Sequence, residues 1–185
     1  MTETLHFLAT RRSHPPKTLR APAPDRDELA QLLTLAARVP DHGKLEPWRF
    51  IVLGPQARAD LAVRVREQAL ANGQDVAGAD KAASHYDSPL IVAVVFSPVD
   101  SPKVPEWEQF LSTGAVCVSL VNAALASGWG AAWLTGVATT PGFAQDYLGL
   151  NPREQLAGLI HIGTRGDTPP ERPRPDIAAK TDWRA

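Results

Sequence analysis

Two neighbouring guanidinium groups near the start of the chain, Arg11 and Arg12, are followed at once by the hydroxyl of Ser13. Guanidinium groups bind phosphate through charge-assisted hydrogen bonds that are roughly twice as strong as neutral ones. The triplet therefore fits a phosphate site. It also fits the ordinary capping of a helix C-terminus, where the dipole favours cations and disfavours anions.

A second group of polar and conformationally special residues occupies the corner RVPDHGK, residues 38–44. A proline fixes the backbone there, an aspartate can form a local turn, and Gly43 permits a positive φ or a close approach. The candidate binding residues of the corner are Arg38, Pro40, Asp41, His42 and Lys44. Rigid corners often carry binding groups, although a solvated turn with incidental charges has the same composition.

A third candidate is the strip WLTG, residues 133–136, at the end of an apolar segment flanked by glycines. Glycine lets a planar ligand approach the backbone, and N–H groups beyond the strand end can donate to ring heteroatoms. Core packing of the tryptophan is the alternative. Three arginines of the C-terminal segment either reach a phosphate or serve only solubility: Arg165, Arg172 and Arg174.

Motifs of several common enzyme classes do not occur in the sequence. It contains no G-x-G-x-x-G dinucleotide fingerprint, no G-x-x-x-x-G-K-[ST] phosphate loop and no G-x-S-x-G elbow. Cys117 lies within an apolar helical pattern, where a thiol is usually inert, and the five histidines lack metal-site spacing. We therefore assign no catalytic side chain, expect no metal, and disfavour a hydrolase.

The overall charge limits the partners that the protein can attract. Nineteen basic and twenty acidic residues leave a formal net charge of −1, which argues against nucleic acid and membrane surfaces. The N-terminal residues lack the apolar run of a secretory signal, and a single cysteine cannot form an internal disulfide. The simplest interpretation is one cytoplasmic domain, residues 1–185.

Alternating helical and strand patterns must hold these groups in place. Helical patterns cover residues 4–12, 25–39, 55–73, 104–127 and 139–149, and the second opens with a predicted capping box of Asp25 and Glu28. Strand composition is found at residues 48–54, 88–98, 128–137 and 156–164. The run at 88–98 is apolar throughout, as expected of a strand buried on both faces. The order predicts an α+β layered fold.

The helix predicted at 104–127 is apolar on nearly every side after its first turn. Polar residues interrupt it at Ser112, Thr113, Ser119 and Asn122, which favours burial in a core or subunit interface over a membrane span. Residues 165–185 are rich in proline and arginine and are predicted to form an extended surface tail.

Taken in order, these segments resemble the nitroreductase family of FMN-dependent oxidoreductases, and most of all its short, YdjA-like branch. The resemblance covers nearly the whole chain: RRS at 11–13, RVPDHGKLEPWRF at 38–50, KVPEWEQ at 103–109, GWGAAWLTG at 128–136 and GLIHIGT at 158–164. It implies a three-layer α/β/α sandwich with a central, mostly antiparallel sheet and the long helix buried at a dimer interface.

The resemblance assigns each candidate group to FMN. It implies that Arg11 and Ser13 bind the phosphate and that Arg12 lies at the polar edge of the ring, where it would stabilise the negative charge of the reduced flavin. The residues implied to reach the flavin from the other subunit are Arg38, Pro40, Asp41, His42 and Lys44. Those implied along the ring face and its N5 edge are Trp133, Leu134, Thr135 and Gly136. Arg172 and Arg174 resemble a basic tail pair that completes the phosphate site in larger relatives.

The implied activity is hydride transfer from NAD(P)H to FMN and on to a small-molecule acceptor, such as a nitroaromatic or quinone, in ping-pong order at one open ring face. A homodimer with shared FMN sites follows from the same resemblance. Two alternatives stay open: a flavin-binding sensor or carrier without turnover, and a family member with a different flavin reaction. Glu46, where glutamine is usual, and Leu134, where a polar residue is common, depart from the family pattern and bear on ring recognition and substrate preference.

Overall fold

The backbone forms one sheet of four antiparallel strands in the spatial order β1–β2–β4–β3. The computed structural model describes residues 1–184. The strands are β1 (Trp48–Leu53), β2 (Leu90–Phe96), β3 (Gly130–Leu134) and β4 (Gln155–Gly163). The four strand predictions are confirmed, with β4 beginning one residue early. Every observed pairing is antiparallel.

Helices cover both faces of this sheet. They are α1 (Glu3–Thr10), α2 (Arg26–Ala36), α3 (Pro55–Ala71), α4 (Val76–Ala83), α5 (Glu106–Ala126) and α6 (Pro141–Leu148). Side chains of a strand alternate between its two faces. Val92, Val94 and Ile160 therefore pack against α2 and α5, whereas Ile91 and Leu159 pack against α3 and α6. The predicted three-layer α/β/α arrangement is confirmed.

The helix ends differ from the sequence patterns in specific ways. The capping box is confirmed, since the Asp25 carboxylate accepts two backbone N–H bonds while Glu28 bonds the backbone N–H of Asp25. α1 ends at Thr10, two residues early, because Arg11 adopts an extended conformation with φ −56° and ψ 137°. α2 also ends early, by three residues. No prediction covered α4, a short helix of eight residues that is rich in alanine.

The long helix α5 is the central element of one layer. Its inward face is fully buried against the sheet at Val116, Cys117 and Leu120. Its outward face carries large apolar side chains, including Leu111 at 64% exposure and Val118 at 44%. Within residues 1–184 it is the one helix whose length and composition would allow it to cross a bilayer, although its inward face lies in the core. Burial in the core is thus confirmed for one side of α5 only.

Residues 165–184 form an extended tail with one short 3-10 turn at Ala178–Lys180. None of these residues is fully buried. The tail begins where Thr164 pairs with Arg20 in an isolated antiparallel bridge. This bridge directs the tail back toward the N-terminal segment that follows α1.

Candidate functional site

The Arg11–Ser13 segment lies against the edge strand β3. Because α1 stops at Thr10, the segment runs extended, and the backbone N–H of His14 donates to the carbonyl of Ala131 at 2.9 Å. The Arg11 guanidinium donates to Ser13 Oγ at 3.2 Å. The triplet is therefore attached to the strand that leads into WLTG, which brings two of the three predicted groups together.

The tail folds over this segment. Arg165 Nε donates to the carbonyl of Gly128 at 2.9 Å, and Arg12 Nη1 donates to the carbonyl of Pro170. The Glu171 carboxylate lies 3.8 Å from Arg12 and forms a 2.8 Å ion pair with Arg174. The tail thus adds the guanidinium groups of Arg165 and Arg174 to those of Arg11 and Arg12.

Burial and the repulsion between neighbouring positive charges change the pKa of one of these arginines. Burial lowers the pKa of Arg11, and the positive charges of Arg174 and Arg12 lower it further. Arg174 is therefore near enough for its charge to act on Arg11. Arg172 is exposed, and its side chain makes no hydrogen bond or ion pair within residues 1–184. The structure brings one tail arginine of the predicted pair to the cluster and not the other.

A cavity of about 170 Å³ lies between α1, the C-terminal end of α5 and the tail. It is lined by Phe7, Thr10, Arg11, Arg12, His14, Leu125, Arg165, Thr168 and Pro169. Two buried polar atoms here, Arg11 Nε and His14 Nδ1, have no hydrogen-bond partner within residues 1–184. Buried polar groups are normally paired, so two such atoms beside a cationic cavity fit an anionic ligand group of phosphate size. We call this arrangement the anion cradle.

One member of the anion cradle, His14, is not among the candidate phosphate ligands of the sequence, and a second, Arg165, is a candidate there that the family resemblance does not assign. His14 directly follows the RRS triplet and is only 5% exposed. Burial lowers its pKa, and the charge of Arg165 lowers it further. Arg165 was grouped with the tail arginines but not assigned to the phosphate. The signal that could have found His14 is its position next to two arginines on an extended segment.

The corner at residues 38–44 is a tight backbone turn, as predicted. Gly43 has φ 77°, and Lys44 and Glu46 follow with φ 54° and 48°. The Asp41 carboxylate supports this turn because it accepts the backbone N–H groups of Leu45 at 3.3 Å and Glu46 at 2.8 Å. The local turn predicted at Asp41 and the positive φ predicted at Gly43 are confirmed. Glu46, which departs from the family pattern, has a positive φ, a conformation that is uncommon for residues other than glycine.

Polar side chains of α5 hold the corner from below. Ser112 Oγ donates to the carbonyl of Pro40 at 2.6 Å, and Thr113 Oγ1 donates to the carbonyl of Pro47 at 3.1 Å. His42 Nδ1 lies 2.7 Å from Glu108 Oε1. Two of the four residues that interrupt the apolar pattern of α5 therefore act here: Ser112 bonds the corner itself, and Thr113 bonds the chain just beyond it. Arg38 and Lys44 are exposed and make no side-chain hydrogen bond within residues 1–184.

The corner borders a second cavity, of about 280 Å³. It is lined by Pro40, His42, Glu108, Leu111, Ser112 and Ala115. Glu108 and Leu125 are seventeen residues apart on one helix, which corresponds to about 25 Å at 1.5 Å per residue. Within one subunit the corner and the anion cradle therefore lie at opposite ends of α5. A single copy does not bring the predicted FMN ligands together.

The WLTG strip combines packing with exposure. The Trp133 indole lies across Gly158, where an added Cβ would stand 1.9 Å from Nε1. Trp133 Nε1 donates to the carbonyl of Ala157 at 3.3 Å, at the position where a bulge interrupts the β2–β4 register. Yet Trp133 remains 40% exposed, so core packing accounts for only part of its surface.

The residues after Trp133 differ in solvent exposure and in whether their backbone N–H groups are already hydrogen-bonded. Leu134 is half-buried, and Thr135 and Gly136 are exposed. We expected free N–H groups beyond the strand end. The Gly136 N–H instead donates to Thr139 Oγ1 at 3.0 Å, because the backbone turns there with φ 139°. This N–H is therefore occupied within the chain.

The other titratable groups lie away from these clusters. Burial raises the pKa of the Cys117 thiol to about 12, which disfavours the thiolate. His161 bonds Ser88 Oγ through Nδ1 at 2.7 Å inside the core, where burial lowers its pKa to about 3. No group of three or more potential metal ligands occurs within residues 1–184.

The comparisons with known proteins agree with this architecture. The sequence model described as the nitroreductase family matches residues 8–164. The chain is 32% identical over 163 residues to the Escherichia coli K12 protein named "Putative NAD(P)H nitroreductase YdjA", with 88% of each chain covered. A nitroreductase-like family protein from Bacillus cereus has a similar fold, with a TM-score of 0.79 and 22% identity over 99% of this chain and 96% of that one. A mutant of the FMN and NADPH-dependent nitroreductase NfnB from Sphigopyxis sp. strain HMH gives 0.77 and 18%, over 98% and 99% of the two chains.

Proposed function

The chain belongs to the nitroreductase family, and from that premise we propose that it is a homodimeric FMN-dependent oxidoreductase that uses NAD(P)H to reduce small-molecule acceptors. FMN would accept hydride from NAD(P)H and pass electrons to a nitroaromatic, quinone or related acceptor. The named relatives support this proposal, since one is named an NAD(P)H nitroreductase and another is described as dependent on FMN and NADPH. A ping-pong order, a cytoplasmic location and the absence of nucleic-acid and membrane partners stay predictions.

The anion cradle is the observation that carries the proposal. Arg11 Nε and His14 Nδ1 are buried without a partner within residues 1–184, beside a cavity lined by three arginines and one histidine. A phosphate oxygen would satisfy both atoms, because a phosphate presents several strong acceptor positions to surrounding donors. The cavity suits a phosphate group and is too small for a whole mononucleotide. We therefore assign the FMN phosphate to Arg11, Ser13 and His14, with Arg165 and Arg174 adding positive charge.

The ring would extend from the anion cradle along β3. Trp133 continues the strand to which the Arg11–Ser13 segment is attached, and its exposed indole edge offers an apolar surface to a planar ring. Arg12 lines the anion cradle, and its guanidinium bonds the Pro170 carbonyl of the tail; we assign to it the place of the cation near the polar edge of the ring. Its proposed role is to stabilise negative charge on the reduced flavin.

The remaining ligands would come from a second copy. A two-fold axis through the middle of α5 would place the corner of one subunit next to the anion cradle of the other. The outward face of α5 suits such contact because Leu111 and Val118 are exposed there, and Gly114 between them has open space beside its backbone. His42 would then reach the site from the partner.

The test is flavin binding by the purified protein, with FMN and riboflavin compared side by side. We expect a yellow protein that binds FMN at least tenfold more tightly than riboflavin, because only FMN carries the phosphate, and that oxidises NAD(P)H when an acceptor is added. A colourless protein that refuses both flavins would overturn the proposal. Flavin that binds but stays oxidised with NAD(P)H present would leave a sensor or carrier as the function.

A further inference from the structure

The contact between Glu108 and His42 differs from the other clamps of the corner. Ser112 and Thr113 hold only backbone carbonyl groups, whose position any small donor can fix. Glu108 instead contacts the side chain of His42, with Oε1 2.7 Å from Nδ1. The imidazole is 58% exposed and the carboxylate 34%, so the pair lies at the mouth of the second cavity.

An ionised carboxylate can only accept hydrogen bonds. At 2.7 Å from Glu108, the nitrogen that carries hydrogen must therefore be Nδ1. In the neutral imidazole this leaves Nε2 without hydrogen, as an acceptor that makes no hydrogen bond within residues 1–184. The bond that one ring nitrogen makes thus determines what the other can offer to a ligand.

We propose that Glu108 is a positioning residue, which locks His42 in the Nδ1–H tautomer and presents Nε2 to the FMN site of the partner subunit. This inference rests on the proposed function, in which the corner reaches that site. The carboxylate also holds the ring against α5, so His42 loses little rotational freedom when a ligand binds. A histidine on a turn without such a partner would present either nitrogen.

The first measurement is the ¹⁵N spectrum of the histidine side chains in the purified holoprotein, at a pH well above the titration of free histidine. The His42 signal is assigned by its loss in His42→Gln. We expect hydrogen on Nδ1 in the unmodified protein and a mixture of tautomers in Glu108→Gln, because an amide can accept from or donate to Nδ1. Hydrogen on Nε2 of His42 in the unmodified protein would overturn the inference, whatever Glu108→Gln shows.

The second measurement is the FMN affinity of four proteins: unmodified, Glu108→Gln, His42→Gln and the double variant. If Glu108 acts through His42, Glu108→Gln should weaken FMN binding by about tenfold when His42 is present and by less than twofold when it is absent. Equal losses in both backgrounds would mean that Glu108 acts on the fold alone, and would overturn the inference.

Glu106→Gln is the matched control, because Glu106 lies in the same helical turn but pairs with Arg153 at 2.7 Å instead of His42. It should change neither the tautomer nor the FMN affinity.

The two proposals fail in different ways. If His42→Gln leaves FMN affinity unchanged, the shared site of the proposed function is wrong and the role of Glu108 toward it falls as well. If His42→Gln weakens FMN binding but Glu108→Gln changes nothing, only the role of Glu108 is wrong.

Discussion

The two ends of α5 present opposite states of hydrogen bonding. At its N-terminal end, the corner is satisfied within the chain, since Glu108, Ser112 and Thr113 each bond a group of residues 40–47. At its C-terminal end, the anion cradle keeps two buried polar atoms without partners and gathers several positive charges. Within residues 1–184 the corner has no buried side-chain polar atom without a partner, whereas the cradle has two. We infer that the corner already has its binding conformation before it contacts a second copy of the chain, whereas the cradle depends on an anion for its stability.

The largest expected effect comes from disrupting the proposed dimer, which separates the corner of one subunit from the anion cradle of the other. Leu111→Glu places a charge on the outward face of α5, where a partner would have to bury it at a cost of several kcal/mol. We expect a monomer that loses FMN binding by more than about a hundredfold, because each site would lack the partner's corner. Light scattering after size exclusion and flavin titration measure the two effects together.

Val63→Glu is the control, since Val63 is similarly exposed at 57% but lies on α3 in the opposite layer. It should leave both the mass and the FMN affinity unchanged. A Leu111→Glu monomer that still binds FMN tightly would show that the two ends of α5 do not meet in one site.

The next effect tests the anion cradle alone. Arg11→Ala removes a charge-assisted hydrogen bond worth about 1.5–3 kcal/mol, so the FMN affinity should fall by roughly one to two orders of magnitude. The riboflavin affinity should stay the same, because riboflavin has no phosphate. Fluorescence titration with both flavins measures the difference.

Arg26→Ala serves as the comparison, because Arg26 is an exposed arginine at the start of α2, in a different part of the surface. If Arg11→Ala weakens FMN and riboflavin binding equally, the phosphate is bound elsewhere. Arg11 would then have only the capping role that the sequence also permits.

A smaller effect is expected at the corner. Ser112→Ala removes the hydrogen bond to the Pro40 carbonyl, which should lower the free energy of unfolding by about 1 kcal/mol. Added phosphate should stabilise the unmodified protein and Ser112→Ala equally through the anion cradle, so the difference of about 1 kcal/mol between them should persist. Urea unfolding of both proteins with and without phosphate measures this difference, and its disappearance in phosphate would contradict the proposed separation of roles.

The smallest expected effect is a pH dependence that comes from the anion cradle. The pKa of His14 is lowered in the folded protein by burial and by Arg165, so the unfolded chain takes up its proton at higher pH than the folded one. The free energy of unfolding should therefore fall as the pH drops below about 6.5, the ordinary histidine value. In His14→Gln this part of the slope should be absent, as measured by urea unfolding at several pH values. A slope that His14→Gln leaves unchanged would assign it to His161, whose pKa is also lowered.

The local elements were largely predictable because local patterns specify them. The apolar run of β2, the capping box of α2 and the positive φ of Gly43 each depend on residues within a few positions of one another. α4, which is only eight residues long and rich in alanine, was not predicted. The end of α1 was missed because a contact from His14 to β3 draws the following residues into an extended path.

The site residues also divide into those that a local pattern identifies and those that depend on contacts between distant segments. Sequence alone determined the residue types of the RRS triplet, the corner and the WLTG strip, and their order was enough to indicate the family. Only the tertiary structure decided that the charge of Arg174 acts on Arg11, that His14 Nδ1 is buried without a partner within residues 1–184, and that Glu108 contacts His42. These contacts join segments that are distant along the chain. No local pattern encodes them, since they depend on how α5 and the tail pack around the edge strand of the sheet.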